Sequence, residues 1–264
     1  MIAAAQGLLK FSPGVDNIKL ARLERLTKRK VSTFSLVSGE TCPYANECLA
    51  KVVRVDGRAK MWYGPEMKHV CYSASLESIY PTMLAQREYN SNEILTLAAR
   101  SWRAAADLIV ESIPKNTQVI RIHVGGDFKT RPYFRAWCAA LADRPDIVGY
   151  AYTKSLPFWV LEREAGRVPR NFLLTASYGG KADPWIKKHN LRYVKVVKSV
   201  MEAHILGLPI DHDDRHAAME KYRNLNFALL IHGKQRAGSD EGKAVRALRG
   251  KGSYSRVKKK LMAA

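Results

Sequence analysis

The sequence predicts an α/β fold of the (β/α) barrel type, complete or partial, with six or more parallel strands and a cysteine-bearing insertion after the first. Three observations carry this. Short runs rich in β-branched and aromatic residues recur along the chain. Stretches of helical period lie between the later ones, and the alternation keeps a regular spacing from the second run to the last. Strands alternating with helices argue for parallel βαβ units, and the even rhythm favours a barrel over a doubly wound sheet.

The strands read as VSTFSLVS (31–38), QVIRIHV (118–124), VGYAYT (148–153), FLLTAS (172–177), YVKVVK (193–198) and FALLIH (227–232). The helices between the later ones are PYFRAWCAALAD, PFWVLEREAG, DPWIKKHN and a segment from about Met201 to Tyr222. The gap at 39–117 breaks the rhythm. It holds three cysteines in a loop over 39–75 and then two helical stretches, about 74–89 and 92–113, the second opened by an Asn cap before Glu93. One domain is expected over 1–237, followed by a loosely attached Gly- and Lys-rich basic tail over 238–264.

Hydrophobic residues make up 47% of the 264, ample for a core. The start lacks the basic and long apolar regions of a signal peptide, and no run approaches the roughly 20 apolar residues of a membrane helix. A soluble, cytoplasmic protein without membrane contact is therefore expected. In a reducing compartment, clustered cysteines point to metal binding or catalysis rather than disulfides. The 44 Lys and Arg against 24 Asp and Glu give a net charge of +20, concentrated in 19–30, 187–192 and the tail. Such a field draws polyanions, which makes nucleic acid or a nucleotide a plausible partner.

In parallel α/β folds, ligands bind at the carboxyl ends of the strands. Those ends are rich in polar residues and glycine here: His123 with Gly125, Gly126 and Asp127, then Lys154, then Ser177, then Lys198, then His232 and Lys234. A glycine pair or a lone lysine at one strand end means little; their convergence on one rim predicts a pocket. The lysines there suit an anionic ligand, and Asp127 a cationic group.

The first strand runs into TCPYANECLA. Three of the chain's 4 cysteines, Cys42, Cys48 and Cys71, follow it closely. Cys138 instead shares an apolar helical stripe with Phe134 and Leu141 and reads as core. Three readings of the triplet stand: unrelated buried thiols, a structural zinc with His69 as fourth ligand, and a [4Fe–4S] cluster with one iron left open. Zinc sites favour paired short spacings such as CxxC, which are missing here, so the cluster is the expected cofactor and zinc the alternative.

A cysteine triplet after the first strand and a Gly-Gly-Asp element after the second resemble radical-SAM partial barrels, in which a GGE-like motif meets the amino group of S-adenosylmethionine. The usual CxxxCxxC spacing is absent. TCPYANECLAK, CYSASLESIYPTMLAQREYN, RIHVGGDFKTRPYFRAWC and YAYTKS more closely resemble the phage- and plasmid-borne gene product eighty-eight family, over roughly 30–235. That resemblance implies a bacteriophage or mobile-element origin, and so a viral protein in the cytoplasm of an infected host. It brings no catalytic assignment. The expected function is a cluster-binding protein with radical-SAM-like or redox activity on a nucleotide or nucleic acid. The alternative is a non-catalytic nucleic-acid-binding protein with a structural zinc or cluster.

Overall fold

Val, Ile and aromatic residues fill the strand runs on both faces, as strands covered on two sides require. In the computed structural model, which describes residues 7–254, the strands are β1 (Ser12–Pro13), β2 (Val31–Phe34), β3 (Ala50–Val55), β4 (Arg58–Tyr63), β5 (Val119–Ile122), β6 (Val148–Thr153), β7 (Phe172–Ser177), β8 (Tyr193–Val197) and β9 (Phe227–Leu230). Seven of them form one sheet in the order β1-β2-β5-β6-β7-β8-β9, all parallel except the β1–β2 pair. Among the described residues no ladder joins β9 to β1 or β2, so the sheet is open.

The helices are α1 (Ile18–Thr27), α2 (Tyr72–Glu77), α3 (Pro81–Arg100), α4 (Trp102–Ser112), α5 (Arg131–Asp143), α6 (Leu156–Glu164), α7 (Pro184–Lys188), α8 (Val200–Ile205), α9 (Arg215–Ala218) and α10 (Asp240–Ala247). Apolar side chains of α3 to α7 pack with Phe34, Ile120, Ile122 and Leu174 in one core, and Cys138 is buried there as expected. The opposite face is covered by Leu20 and Leu23 of α1 and Ala217 and Ala218 of α9, against Val31, Val119, Tyr150, Leu173 and Phe227. Strands in sequence order with the helices α3 to α7 on one face are compatible with a partial barrel.

Several boundaries differ from expectation. The basic stretch 19–30 is largely α1, with Lys19 buried. Asn92 caps nothing: α3 runs through it, Asn90 being held inside by the carbonyls of Lys10 and Ser35, and the break comes at Ser101, whose hydroxyl accepts from Ala104 N. The helix expected over 201–222 is split into α8 and α9 by the turn at Asp211–Asp214. A β3–β4 hairpin, turned by Asp56 and Gly57 at positive φ, stands inside the cysteine loop. Of the expected basic tail, α10 and the following turn are docked, with Arg22 donating to Ser253 O; residues 255–264 lie outside the described residues.

On the α1 side of the sheet, Asp214 binds Lys19 Nζ at 2.7 Å and Arg121 Nη1 at 2.8 Å and accepts from the Tyr150 hydroxyl at 2.9 Å. Burial pushes its carboxyl pKa up, but Arg121 and then Lys19 outweigh burial and hold it well below the usual range. Asp214→Asn strips two buried cations of their shared counter-charge. We expect it to lower unfolding free energy by about 3–5 kcal/mol, read from the urea midpoint.

Candidate functional site

The carboxyl ends of the central strands converge, with the segments that carry the cysteines, on a cavity of about 220 Å³. Cys42, Cys48 and Cys71 all line it. So do seven of the nine pocket residues expected from the sequence: His123, Gly125, Gly126, Asp127, Lys154, Ser177 and His232.

Backbone bridges hold the cysteine segments in place. Ala45 pairs with Gly180, Glu47 N donates to Gly179 O at 3.0 Å, and Lys181 N donates to Tyr44 O at 2.9 Å, tying the first loop to the end of β7. Lys68 N and His69 N both donate to Glu47 O, which draws the approach to Cys71 against the approach to Cys48. Gln235 bonds both backbone groups of Val70 and so fastens that strip to the loop after β9. Beneath, the buried Glu77–Arg87 pair links the two arms: Glu77 accepts from Ser38 N and Oγ, and Arg87 donates to Ser73 Oγ.

The Gly-Gly-Asp element locks this assembly. A Cβ on Gly125 would stand 2.3 Å from Ser73 Oγ and 2.6 Å from Arg87 Nη1. One on Gly126, whose φ is +82°, would meet Thr41 Oγ1 at 2.6 Å and Leu36 Cβ at 2.8 Å. Asp127, expected to hold a cationic group of a ligand, has its carboxylate engaged by the protein itself. Its Oδ1 accepts from Thr153 Oγ1 at 2.6 Å and Phe128 N at 2.8 Å, and its Oδ2 accepts from Lys154 N at 2.8 Å. Burial raises its pKa, and those three donors oppose the rise. Gly126→Ala combines left-handed strain with a clash at the cysteine loop. We expect it to cost about 2–4 kcal/mol in a denaturation experiment.

Lys154 is also committed: its Nζ donates to Ser177 Oγ at 2.8 Å, Ser177 O at 3.0 Å and Tyr178 O at 2.6 Å. Its charge faces the cavity without a free donor. Lys198 lies outside the cavity wall, paired with Glu241 beside a neighbouring cleft, and Lys234 is exposed. A position at a strand end does not decide where a long side chain turns, so two of the three expected lysines miss the site.

All four cysteines of the chain are free. Burial raises the Cys42 thiol well above its ordinary pKa, with the charges of Asp127, Cys71 and Cys48 adding to it. Burial, and next the nearby Cys48, push Cys71 to about 11. Cys42 and Cys71 thus hold their protons at neutral pH unless something replaces them. Among the described residues, no group of three or more His, Cys, Asp or Glu side chains is drawn together tightly enough to hold one metal ion.

Three histidines complete the wall, and burial is the chief cause of each one's lowered pKa: His69 to about 4, His123 to about 3 and His232 to about 4. His123 is in the left-handed region at φ 67°. Trp137 Nε1 can only donate, and gives its hydrogen to the Tyr133 hydroxyl at 2.8 Å; that hydroxyl in turn meets His123 Nε2 at 2.8 Å. With Tyr133 giving its hydrogen to Nε2, Nδ1 carries the imidazole proton, and it has no partner among the described residues. His232 donates from Nδ1 to Leu230 O and packs between Tyr72 and Tyr254, leaving Nε2 as a lone pair.

Sequence reasoning missed Arg121, Tyr72, Tyr152 and Tyr254, which also line the cavity. Arg121 interrupts an otherwise apolar central strand, which was the available signal.

The chain matches the family model described as Gene product 88 over residues 8–250. It belongs to that family. The match takes in α1 and α10 and so reaches well past the motifs over roughly 30–235 that first suggested the family. Among curated proteins and solved structures nothing matches. No helix of this Gene product 88 protein, among the described residues, is long and apolar enough to cross a membrane.

Proposed function

We propose that this Gene product 88 protein holds a [4Fe–4S] cluster through Cys42, Cys48 and Cys71, with one iron facing the cavity, and performs cluster-dependent chemistry on a small ligand bound there. The observation that carries the reading is that three free thiols, two from the loop after β2 and one from the approach to α2, line one cavity at the carboxyl rim of a parallel sheet. The donor set is soft and all sulfur, which suits iron–sulfur chemistry. A zinc ion needs its sulfurs at about 2.3 Å from a common centre, a convergence the described residues lack. A cluster takes each thiolate on a different iron and accommodates a wider triangle. With an iron free of protein ligands, such a cluster supplies an electron-transfer or Lewis-acid centre.

The chain's own contribution is then definable. Backbone bridges and the Glu77–Arg87 pair position the thiols, the glycines let the loops approach, and neutral histidines and tyrosines limit water at the open face. Asp127 holds the end of β6 rather than a ligand amine, so an S-adenosylmethionine amino group would need another acceptor. The net charge of +20 supports a nucleotide or nucleic acid as the source of the ligand, and the family resemblance a phage setting.

Anaerobic purification with iron, sulfide and zinc analysis tests the reading. Iron and sulfide in near-equal amounts with a brown colour are the expected result. Stoichiometric zinc without sulfide would overturn it.

A further inference from the structure

The cavity that carries the cysteines also holds a cation with unused donors, and the two together define what it can bind. Arg121 lines the wall, and its side chain is 13% exposed. Its Nη1 donates to Asp214, Nε has no partner among the described residues, and no described residue accepts from Nη2. Asp214, the carboxylate that pairs with it, is shared with Lys19. The acidic residue in the wall, Asp127, already accepts from three donors of its own. Lys154 adds a second positive charge.

The rest of the wall is flat and apolar. Tyr152 lies under the Arg121 guanidinium, 5.2 Å from it to the ring centroid. Tyr254 stacks on His232 at 4.3 Å between centroids, with Tyr72 beside both. The aliphatic edge comes from Val194, Val196, Leu229 and Ile231. A buried guanidinium with idle donors is costly until an anion meets it, and its fork matches carboxylate and phosphate oxygens. Stacked aromatic walls favour a planar body.

We propose that Arg121 is the anchor of a ligand site for small planar anions, a carboxylate or phosphate group resting on its Nη2 donors and the unsaturated body lying along Tyr72 and Tyr254. This names the ligand class for the cavity and rests on the cluster reading for any reaction there, though the anion site itself is built from protein groups alone.

Calorimetric titration of the anaerobically purified full chain with phenyl phosphate, benzoate and neutral benzamide tests it. At least one anion should bind about tenfold or more tightly than benzamide, the size of a charge-assisted hydrogen bond. The tighter of the two anions tells phosphate from carboxylate. Arg121→Gln should bring that anion down to the benzamide level. Equal binding of anion and neutral compound, no binding of either anion, or a preference surviving in Arg121→Gln would each overturn the proposal. If that variant does not fold, the ratio in the unaltered protein and its loss of affinity in Tyr254→Ala decide. Iron and sulfide are measured on the same samples. Anion preference without iron leaves this site standing and removes the cluster, while iron without anion preference does the reverse.

Discussion

Replacing Cys42, Cys48 or Cys71 singly by Ser should bleach the protein and cut its iron and sulfide by more than about tenfold. A serine hydroxyl is a hard, weakly acidic donor in a site selected for soft thiolate, and even outer-shell changes at metal sites cost roughly 10–100-fold in affinity. The loss should be similar at all three positions, because each thiolate would hold a different iron and none can substitute for another. Cys138→Ser is the control. That thiol is buried against α5's neighbours, away from the cavity wall, so a hydroxyl there costs packing and an unmet hydrogen bond, about 1–3 kcal/mol, with the colour kept. Bleaching by Cys138→Ser, or iron retained in any of the other three variants, would sink the assignment. Because burial and neighbouring charge keep Cys42 and Cys71 protonated, metal uptake must release protons and should weaken as pH falls.

The same contrast shows what the sequence could disclose. The parallel strands were legible because strands buried on both faces read as unbroken β-branched runs, and Cys138 because its helical stripe is apolar throughout. The β3–β4 hairpin was equally legible, with Asp56-Gly57 between alternating runs, but was overlooked beside the cysteines. Arg121 could not be placed from sequence, since its role depends on Asp214 and Lys19, both distant along the chain and brought together by α1 and the turn before α9. Gly125, Gly126 and Asp127 make contacts with Ser73, Thr41 and Lys154, so a motif that resembles a ligand contact also locks three loops together. Lys198 was misplaced because its partner, Glu241, comes from α10, in the segment expected to hang free.

Acid should unfold this protein in a window set by its buried histidines. His123 has a folded pKa of about 3 against the ordinary 6.5, with burial as the cause, and His232 about 4, lowered first by burial and further by Lys19 and Arg121. For a base held neutral, the unfolded chain binds the extra proton between those two values. The stability is therefore whole above pH 6.5 and falls as pH drops toward the folded value. At about 1.4 kcal/mol per pH unit, His123 alone removes on the order of 3 kcal/mol between pH 6.5 and 4. The groups that face it are the Tyr133 hydroxyl and the Phe128 ring, neither of which carries a negative charge to offset the burial of an imidazolium. His232 meets the Leu230 carbonyl, two tyrosine rings and the nearby cations, with that carbonyl and then Asp214 favouring its charge. Asp214 works in the same direction at lower pH, since its depressed carboxyl keeps its stabilising charge above the unfolded value near 4 and loses it below. The measurement is urea unfolding from pH 7 to 4 for the unaltered chain and for His123→Phe. The variant should be less stable at pH 7, having taken the acceptor from Tyr133, yet its stability should fall less steeply, by up to about one proton between pH 6 and 4. An unchanged slope would mean that His123 already carries its proton in the folded protein, and the Trp137–Tyr133–His123 hydrogen-bond order would have to be reversed.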